Sequence, residues 1–211
     1  MGYRKNPLTT GEYFHIYNRG VEKRQIAVDD HDRTRWIQTM LYYRFADTKS
    51  QFSLADIESF SGQKPLVDVI SYCLMPNHFH LLAKQVLDNG ITEWLRKTTV
   101  SYCRYFNTRH NRVGSLFQGP YKSRRIATTE DLLHVSRYIH LNPFVARIAE
   151  DPTTYRWSSF PAYLQPDKNP DLAQRIILDQ FTSPEEYIKF VTDFADYARS
   201  LHDLQYLFID I

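Results

Sequence analysis

Two histidines stand two residues apart in Met75-Pro76-Asn77-His78-Phe79-His80-Leu81-Leu82, at the head of an apolar run. In a β-strand alternate side chains share a face, so His78 and His80 would project together while Phe79 packs on the other side. Side-by-side imidazoles supply half of a divalent-metal site. Histidine pairs in strands also occur as partly buried side chains with satisfied nitrogens, so the elements around this pair decide what it can do.

Val67-Asp68-Val69-Ile70-Ser71-Tyr72-Cys73 is β-rich and apolar, Met75-Pro76-Asn77 has the composition of a turn, and His78 to Lys84 reads as the returning antiparallel strand. Upstream, Tyr13 to Asn18 reads as a first strand closed by Arg19-Gly20. Asp32 to Phe45 follows as a helix with Trp36, Ile37, Met40 and Leu41 in its apolar stripe. Residues 46–65 are polar and read as an insertion, with a short helical pattern over 53–60. Ile91 to about Asn107 predicts a second long helix, Asn111 to Tyr121 a loop, and Lys122 to Ala127 a short strand. Thr128 or Thr129 can cap a third helix, Glu130 and Asp131 suit its positive end, and Asn142-Pro143 should stop it. The order β-α-β-β-α-β plus a further helix predicts an α+β fold: a ferredoxin-like or RRM-like antiparallel sheet with helices on one face. Residues 1–163 make the expected domain, and 164–211 an acidic helical C-terminal extension in which Ser183-Pro184-Glu185-Glu186 starts a helix running to about Leu201.

On the third helix His134, Tyr138 and Asn142 recur every four residues and so run up a common side. The amide oxygen of Asn142 is an acceptable ligand for Mg²⁺ or Mn²⁺ beside imidazoles. Tyr138 sits one turn earlier, and a phenol with an ordinary pKa of about 10 needs activation before it attacks a phosphate. The chain has 15 tyrosines, and residue chemistry alone does not select Tyr138 over Tyr102, Tyr105 or Tyr121.

The formal net charge of +2 conceals segregation. Between Arg96 and Thr129 lie Arg96, Lys97, Arg104, Arg109, Arg112, Lys122, Arg124 and Arg125 without one carboxylate, whereas the last stretch is acidic. A basic block interleaved with Tyr102, Tyr105, Phe106, Phe117 and Tyr121 suits a polyanion with unpaired bases; the alternative is a solvated face over an aromatic core. A hydrophobic share of 43% describes a folded chain, and no apolar run approaches membrane-spanning length. Cys73 and Cys103 lack CxxC spacing and Cys73 reads as a reduced core residue, the amino terminus has no signal-peptide pattern, and a cytoplasmic, nucleoid-associated protein is the expectation.

The run His78-Phe79-His80 after Met75-Pro76-Asn77, together with Ser136-Arg137-Tyr138-Ile139-His140-Leu141-Asn142-Pro143, resembles the REP-associated tyrosine transposases, relatives of the IS200-like single-strand transposases in the HUH nuclease superfamily. Leu116-Phe117-Gln118-Gly119-Pro120-Tyr121 and Tyr155-Arg156-Trp157-Ser158-Ser159-Phe160 are similar to that family too, so the resemblance spans roughly Tyr13 to Tyr163. It implies that His78 and His80 are metal ligands, Asn142 the third ligand and Tyr138 the nucleophile. It implies an endonuclease and strand transferase that uses Mg²⁺ or Mn²⁺, forms a 5′-phosphotyrosine link on single-stranded DNA, and acts beside hairpin-forming palindromes. Arg124 and Arg125 are expected to contact phosphates, Tyr121 and Phe117 to stack on bases, with Lys122 and Arg104 as further DNA contacts. A monomer and a homodimer both suit the resemblance. Two other readings stand beside it: a non-catalytic hairpin-binding regulator derived from a transposase, and a hydrolase using metal-bound water. The acidic tail has two as well, a shield over the basic face or a helix packed on the domain for stability.

Overall fold

The computed structural model describes residues 7–49, 52 and 64–200. Most of the 46–65 insertion, including its helical pattern over 53–60, lies outside the described residues. The elements follow the expected order: β1 (Tyr13–Arg19), α1 (Asp30–Tyr42), β2 (Val67–Leu74), β3 (His78–Gln85), α2 (Gly90–Arg109), β4 (Lys122–Ile126), α3 (Thr129–Val145), α4 (Phe160–Leu164), α5 (Arg175–Leu178) and α6 (Pro184–Thr192). The strands form one antiparallel sheet in the order β2-β3-β1-β4, as a ferredoxin-like βαββαβ chain should.

Strand alternation divides the apolar residues between two cores. Phe14 and Ile16 of β1 with Phe79, Leu81 and Ala83 of β3 face one side, where Trp36, Met40, Trp94 and Tyr102 of α1 and α2 cover them. The opposite side takes Ile70, Cys73 and Leu82, covered by Leu132, Val135 and Ile139 of α3 and by Phe160, Ile177, Tyr187 and Val191 from the C-terminal helices. A register shift between Val69 and Ser71 reverses the alternation of β2, so that Val67 and Val69 before it and Tyr72 and Leu74 after it join the first core while Ile70 and Cys73 join the second. Apolar layers on both faces leave the sheet rigid, which suits it to hold a site.

The expected layer of helices on one face holds for α1 and α2 only, because α3 and the C-terminal helices bury their apolar stripes on the opposite face. Helix ends explain the remaining departures from the sequence reading. α1 begins at Asp30 rather than Asp32 because the Asp29 carboxylate accepts the Asp32 amide at 3.1 Å. Thr128 caps α3 by accepting the Asp131 amide, again at 3.1 Å. That helix does not stop at Pro143. The proline removes one N–H, but the chain stays helical because Ala146 donates to the Asn142 carbonyl at 3.0 Å and Ile148 closes on Pro143 at 2.8 Å. α6 ends at Thr192, short of the expected Leu201; 195–200 is helical again after a turn at 193–194.

Candidate active site

β1 and β3 are paired so that Tyr17 lies opposite His80 and Arg19 opposite His78. His15, Tyr17, His78 and His80 therefore share the face over which α3 runs. His15 Nε2 lies 3.0 Å from His80 Nδ1, and the two rings stack at 5.2 Å between centroids. His78 Nδ1 lies 2.6 Å from Asn77 Oδ1, and its ring stands edge-on to His80 at 5.1 Å. Tyr138 reaches this cluster from α3: its ring meets His80 edge-on at 5.4 Å and His15 at 5.9 Å. One turn further along, the Asn142 amide donates to the Tyr138 carbonyl at 3.3 Å. Two histidines and a tyrosine chosen by motif are thus brought together, and Asn142 stands one helical turn beyond the tyrosine.

The electrostatics keep these groups neutral. Burial lowers His78 to about 4, with the Arg19 charge assisting. His80, only 7% exposed, is held well below its ordinary value by burial first and by His15 and His78 second. His15 falls to about 4 through burial and then through the Arg124 charge, with Asp131 opposing. Tyr138 is 51% exposed as a residue, yet desolvation by burial raises its phenol, and a hydrogen bond with Asn142 works in the other direction. Tyr138 is accordingly a protonated phenol at neutral pH and is not a nucleophile on its own.

Among the described residues no three His, Cys, Asp or Glu side chains converge as a metal cage. A divalent cation would draw on two imidazoles and a neutral oxygen. The side chains fit that donor set: Asn77 and His15 engage Nδ1 of His78 and His80, which leaves Nε2 of each ring without a hydrogen bond among the described residues. A hydrogen bond at one ring nitrogen sets the tautomer that presents a lone pair at the other. Asn142 makes no hydrogen bond to either histidine and touches the cluster through Tyr138.

The expected DNA contacts divide. Lys122, across from Tyr17, lines an open cavity of about 930 Å³ with Tyr17, Arg19, His78, His80 and Gln118. Arg124, across from His15, is on the site face but holds Asp131 with two hydrogen bonds of 2.8 and 3.1 Å. Arg125 is paired with Glu12, one of the two bonds measuring 2.6 Å. Tyr121 is half-buried against the α1/α2 core, its hydroxyl 3.3 Å from Thr92 Oγ1. Phe117 corrects the sequence reading. It is 5% exposed and packs edge-on against Phe79 at 5.7 Å, so its faces are not open to a base. Arg104 sits on α2, on the far side of the sheet, beside a groove it shares with Arg35 and Arg96.

Sequence reasoning missed His15. The alternation of Tyr13, His15 and Tyr17 marks the outward face of β1, but only the β1–β3 register shows that this face adjoins His80. Also missed was the polar string on the other flank of α3, where Ser136 and His140 are both fully buried. Ser136 Oγ lies 2.5 Å from the Tyr187 hydroxyl, which is 2.7 Å from His140 Nδ1; His140 Nε2 in turn meets Ser159 Oγ at 2.8 Å. Burial lowers His140 to about 3, so it is neutral.

Fold and site together define an α+β protein in which a paired-histidine strand faces a tyrosine-bearing helix. Residues 42–142, just under half of the chain, match the family described as Transposase IS200 like. That segment contains His78, His80, Tyr138 and Asn142, so the resemblance carried by those motifs is borne out. A solved structure described as "Structure of the REP associates tyrosine transposase bound to a REP hairpin" is similar in fold, with a TM-score of 0.57 at 12% identity, over 81% of this chain and 90% of that one. No curated protein matches the chain in sequence. Among the described residues no helix is long and apolar enough to cross a membrane.

Proposed function

We propose that this chain is a metal-dependent endonuclease and strand transferase for single-stranded DNA, acting beside hairpin-forming palindromes. The observation that carries the reading is the Tyr138 ring standing edge-on over His80 at 5.4 Å, with Asn142 one helical turn further on. The hairpin as substrate is supported by the similar fold whose described complex contains a REP hairpin. Mg²⁺ or Mn²⁺ held by His78, His80 and Asn142 would polarise the scissile phosphate and offset its developing charge.

The chain's own residues supply position and nucleophile. α3 presents the Tyr138 oxygen, which forms a bond to phosphorus as the bond from phosphorus to the 3′ oxygen breaks. In net balance the phenol proton passes to the departing 3′ oxygen, leaving a 3′ hydroxyl and a 5′-phosphotyrosine. Because one phosphodiester has been exchanged for another, a 3′ hydroxyl can reverse the step and join a new strand without an outside energy source. Lys122 and Arg19, which line the same cavity as His78 and His80, would hold the strand's phosphates. Arg124 can reach a phosphate only by exchanging its Asp131 partner, which makes it a secondary contact.

The test is intact-protein mass spectrometry after incubation with palindromic hairpin DNA carrying single-stranded flanks, with Mn²⁺ or Mg²⁺. Wild type should gain a DNA-sized mass that needs the metal and disappears in Tyr138→Phe. Cleavage that survives Tyr138→Phe without an adduct would establish a water-using hydrolase instead. Hairpin binding with neither cleavage nor adduct would make the protein a DNA-binding regulator.

A further inference from the structure

α3 has two polar flanks. One carries Tyr138 and Asn142 towards the histidine cluster, with Asp131 on Arg124. The other carries Ser136 and His140, which lie two residues either side of Tyr138 and so point about 160° away from it around the helix. On this second flank no group is left to water: Ser71, Ser136, His140, Ser159, Tyr163 and Tyr187 are all fully buried. Their hydrogen bonds form one continuous string. It runs from the Ile70 carbonyl to the Tyr163 hydroxyl (2.9 Å), to Ser71 Oγ (2.8 Å), to Ser136 Oγ (3.3 Å), and on to the Tyr187 hydroxyl (2.5 Å). From Tyr187 it continues to His140 Nδ1 (2.7 Å), then from His140 Nε2 to Ser159 Oγ (2.8 Å), which accepts the Tyr72 amide at 2.8 Å.

Tyr187 is the keystone of this string. It comes from α6, outside the 42–142 family match, and its single hydroxyl bonds both polar residues of the α3 flank at once. Both ends of the string are β2 backbone, so the roll of α3 about its own axis is referred to the sheet that carries His78 and His80. Apolar contacts tolerate small rotations, whereas directional hydrogen bonds do not. The lever is long: a phenol oxygen about 9 Å from a helix axis moves about 1.5 Å for a roll of about 10°. A misplacement of about 1 Å can cost about a hundredfold in rate.

We propose that Tyr187, acting through Ser136 and His140, is a positioning residue that sets the roll of α3 and thereby aims Tyr138 at the histidine cluster. The proposal deepens the nuclease reading and rests on it for its kinetic consequence, but its geometric content stands apart. Tyr187→Phe keeps the ring and deletes the shared hydroxyl. Ser136→Ala breaks the string at a second point. Val191→Ala, in the same α6 core, lowers stability without touching the string.

Two readouts separate the proposal from the function beneath it. The first uses 3-fluorotyrosine installed at position 138, read by ¹⁹F NMR on folded protein without DNA. Its resonance should shift or split in Tyr187→Phe and in Ser136→Ala, and hold still in Val191→Ala. The second is single-turnover cleavage of hairpin DNA at saturating protein. Tyr187→Phe should lower the rate about 10- to 100-fold with DNA affinity within about twofold of wild type. An unmoved resonance in both string variants overturns the proposal, and so does an equal change in Val191→Ala. A moved resonance with no cleavage by wild type keeps the positioning role and rejects the nuclease reading.

Discussion

Replacing His15 by Phe is the sharpest probe of how the site is built. The substitution keeps an aromatic ring, slightly larger, beside Tyr17, His80 and Tyr138, whose centroids lie 5.2, 5.2 and 5.9 Å away, and removes the ring nitrogens. What is lost is the 3.0 Å partnership with His80 Nδ1. Without it His80 can turn and its tautomer is no longer fixed, so the lone pair at Nε2 is offered part of the time and in a broader range of directions. Partners of this kind are worth about 10- to 100-fold in metal affinity, which is about 1.4 to 2.7 kcal/mol. His15→Phe should therefore raise the Mn²⁺ Kd by that factor, measured by electron paramagnetic resonance on DNA-free protein. His15→Gln, which can present an amide oxygen to His80, should recover part of it. Urea unfolding of each variant controls for stability, since losing one part-buried hydrogen bond costs only about 1 kcal/mol. The reasoning fails if His15→Phe binds Mn²⁺ as wild type does while His78→Ala and His80→Ala do not. If wild type itself does not bind Mn²⁺, the metal site is rejected outright.

Other outcomes follow from the same geometry. His15 and His78 at about 4 and His140 at about 3 are held below the ordinary 6.5, so between those values and 6.5 they are neutral in the folded chain but charged in the unfolded one. Their contribution is complete above about pH 6.5 and is lost as the pH falls towards 4, because there the unfolded chain binds more protons. Fully buried His140 alone should give a slope of about 1.4 kcal/mol per pH unit, and a urea midpoint unchanged between pH 7 and pH 4.5 would contradict it. Lys122→Ala should weaken binding of single-stranded DNA and reduce the slope of log affinity against log salt by about 0.7, whereas Arg104→Ala, on the far side of the sheet, should leave hairpin cleavage unchanged. Deleting 164–211 removes Ile177, Leu178, Tyr187 and Val191 from the second core, a loss of about 6 to 12 kcal/mol at about 1.5 to 3 for each buried side chain. That is comparable with the whole stability of a typical domain, so the truncated chain should fail to give a cooperative thermal transition. A folded truncation with raised DNA affinity would restore the shield reading of the tail.

What was legible in the sequence is what short-range physics controls. Alternation along β3 put His78 and His80 on one face, and a threonine ahead of two acids marked where α3 starts. The i, i+4 spacing put Tyr138 and Asn142 on one flank. Features that depend on how distant segments meet were not legible. His15 enters the site only because β1 pairs with β3 in the register that sets Tyr17 opposite His80. Phe117 had the surroundings of an exposed loop aromatic, with Gly119 and Pro120 beside it, but its backbone bridges to Gly20 and its ring drops onto Phe79. Arg104 and Lys122 lie in one basic stretch of sequence, yet the sheet separates them. Charge summed along a chain is not charge on a surface.

The C-terminal segment carries the same lesson further. Its acids invited comparison with the basic block, but acids on a helix more often face water than a partner, and the residues between them decide where the helix sits. In α6 Glu185 and Glu186 occupy the first turn, where the helix dipole favours them, and Glu186 accepts the Thr182 amide at 2.6 Å. Tyr187 and Val191, four residues apart, turn inward and are fully buried. The acids thus start the helix and the apolar pair seats it against α3. Tyr187 adds what an apolar residue could not: a hydroxyl shared by the two buried polar groups behind Tyr138. Phenylalanine there would keep the apolar packing but leave buried Ser136 and His140 Nδ1 without their shared partner. The hydroxyl is the part of this segment that packing does not require, and its effect on the direction of Tyr138 is what distinguishes a clamp from a cover.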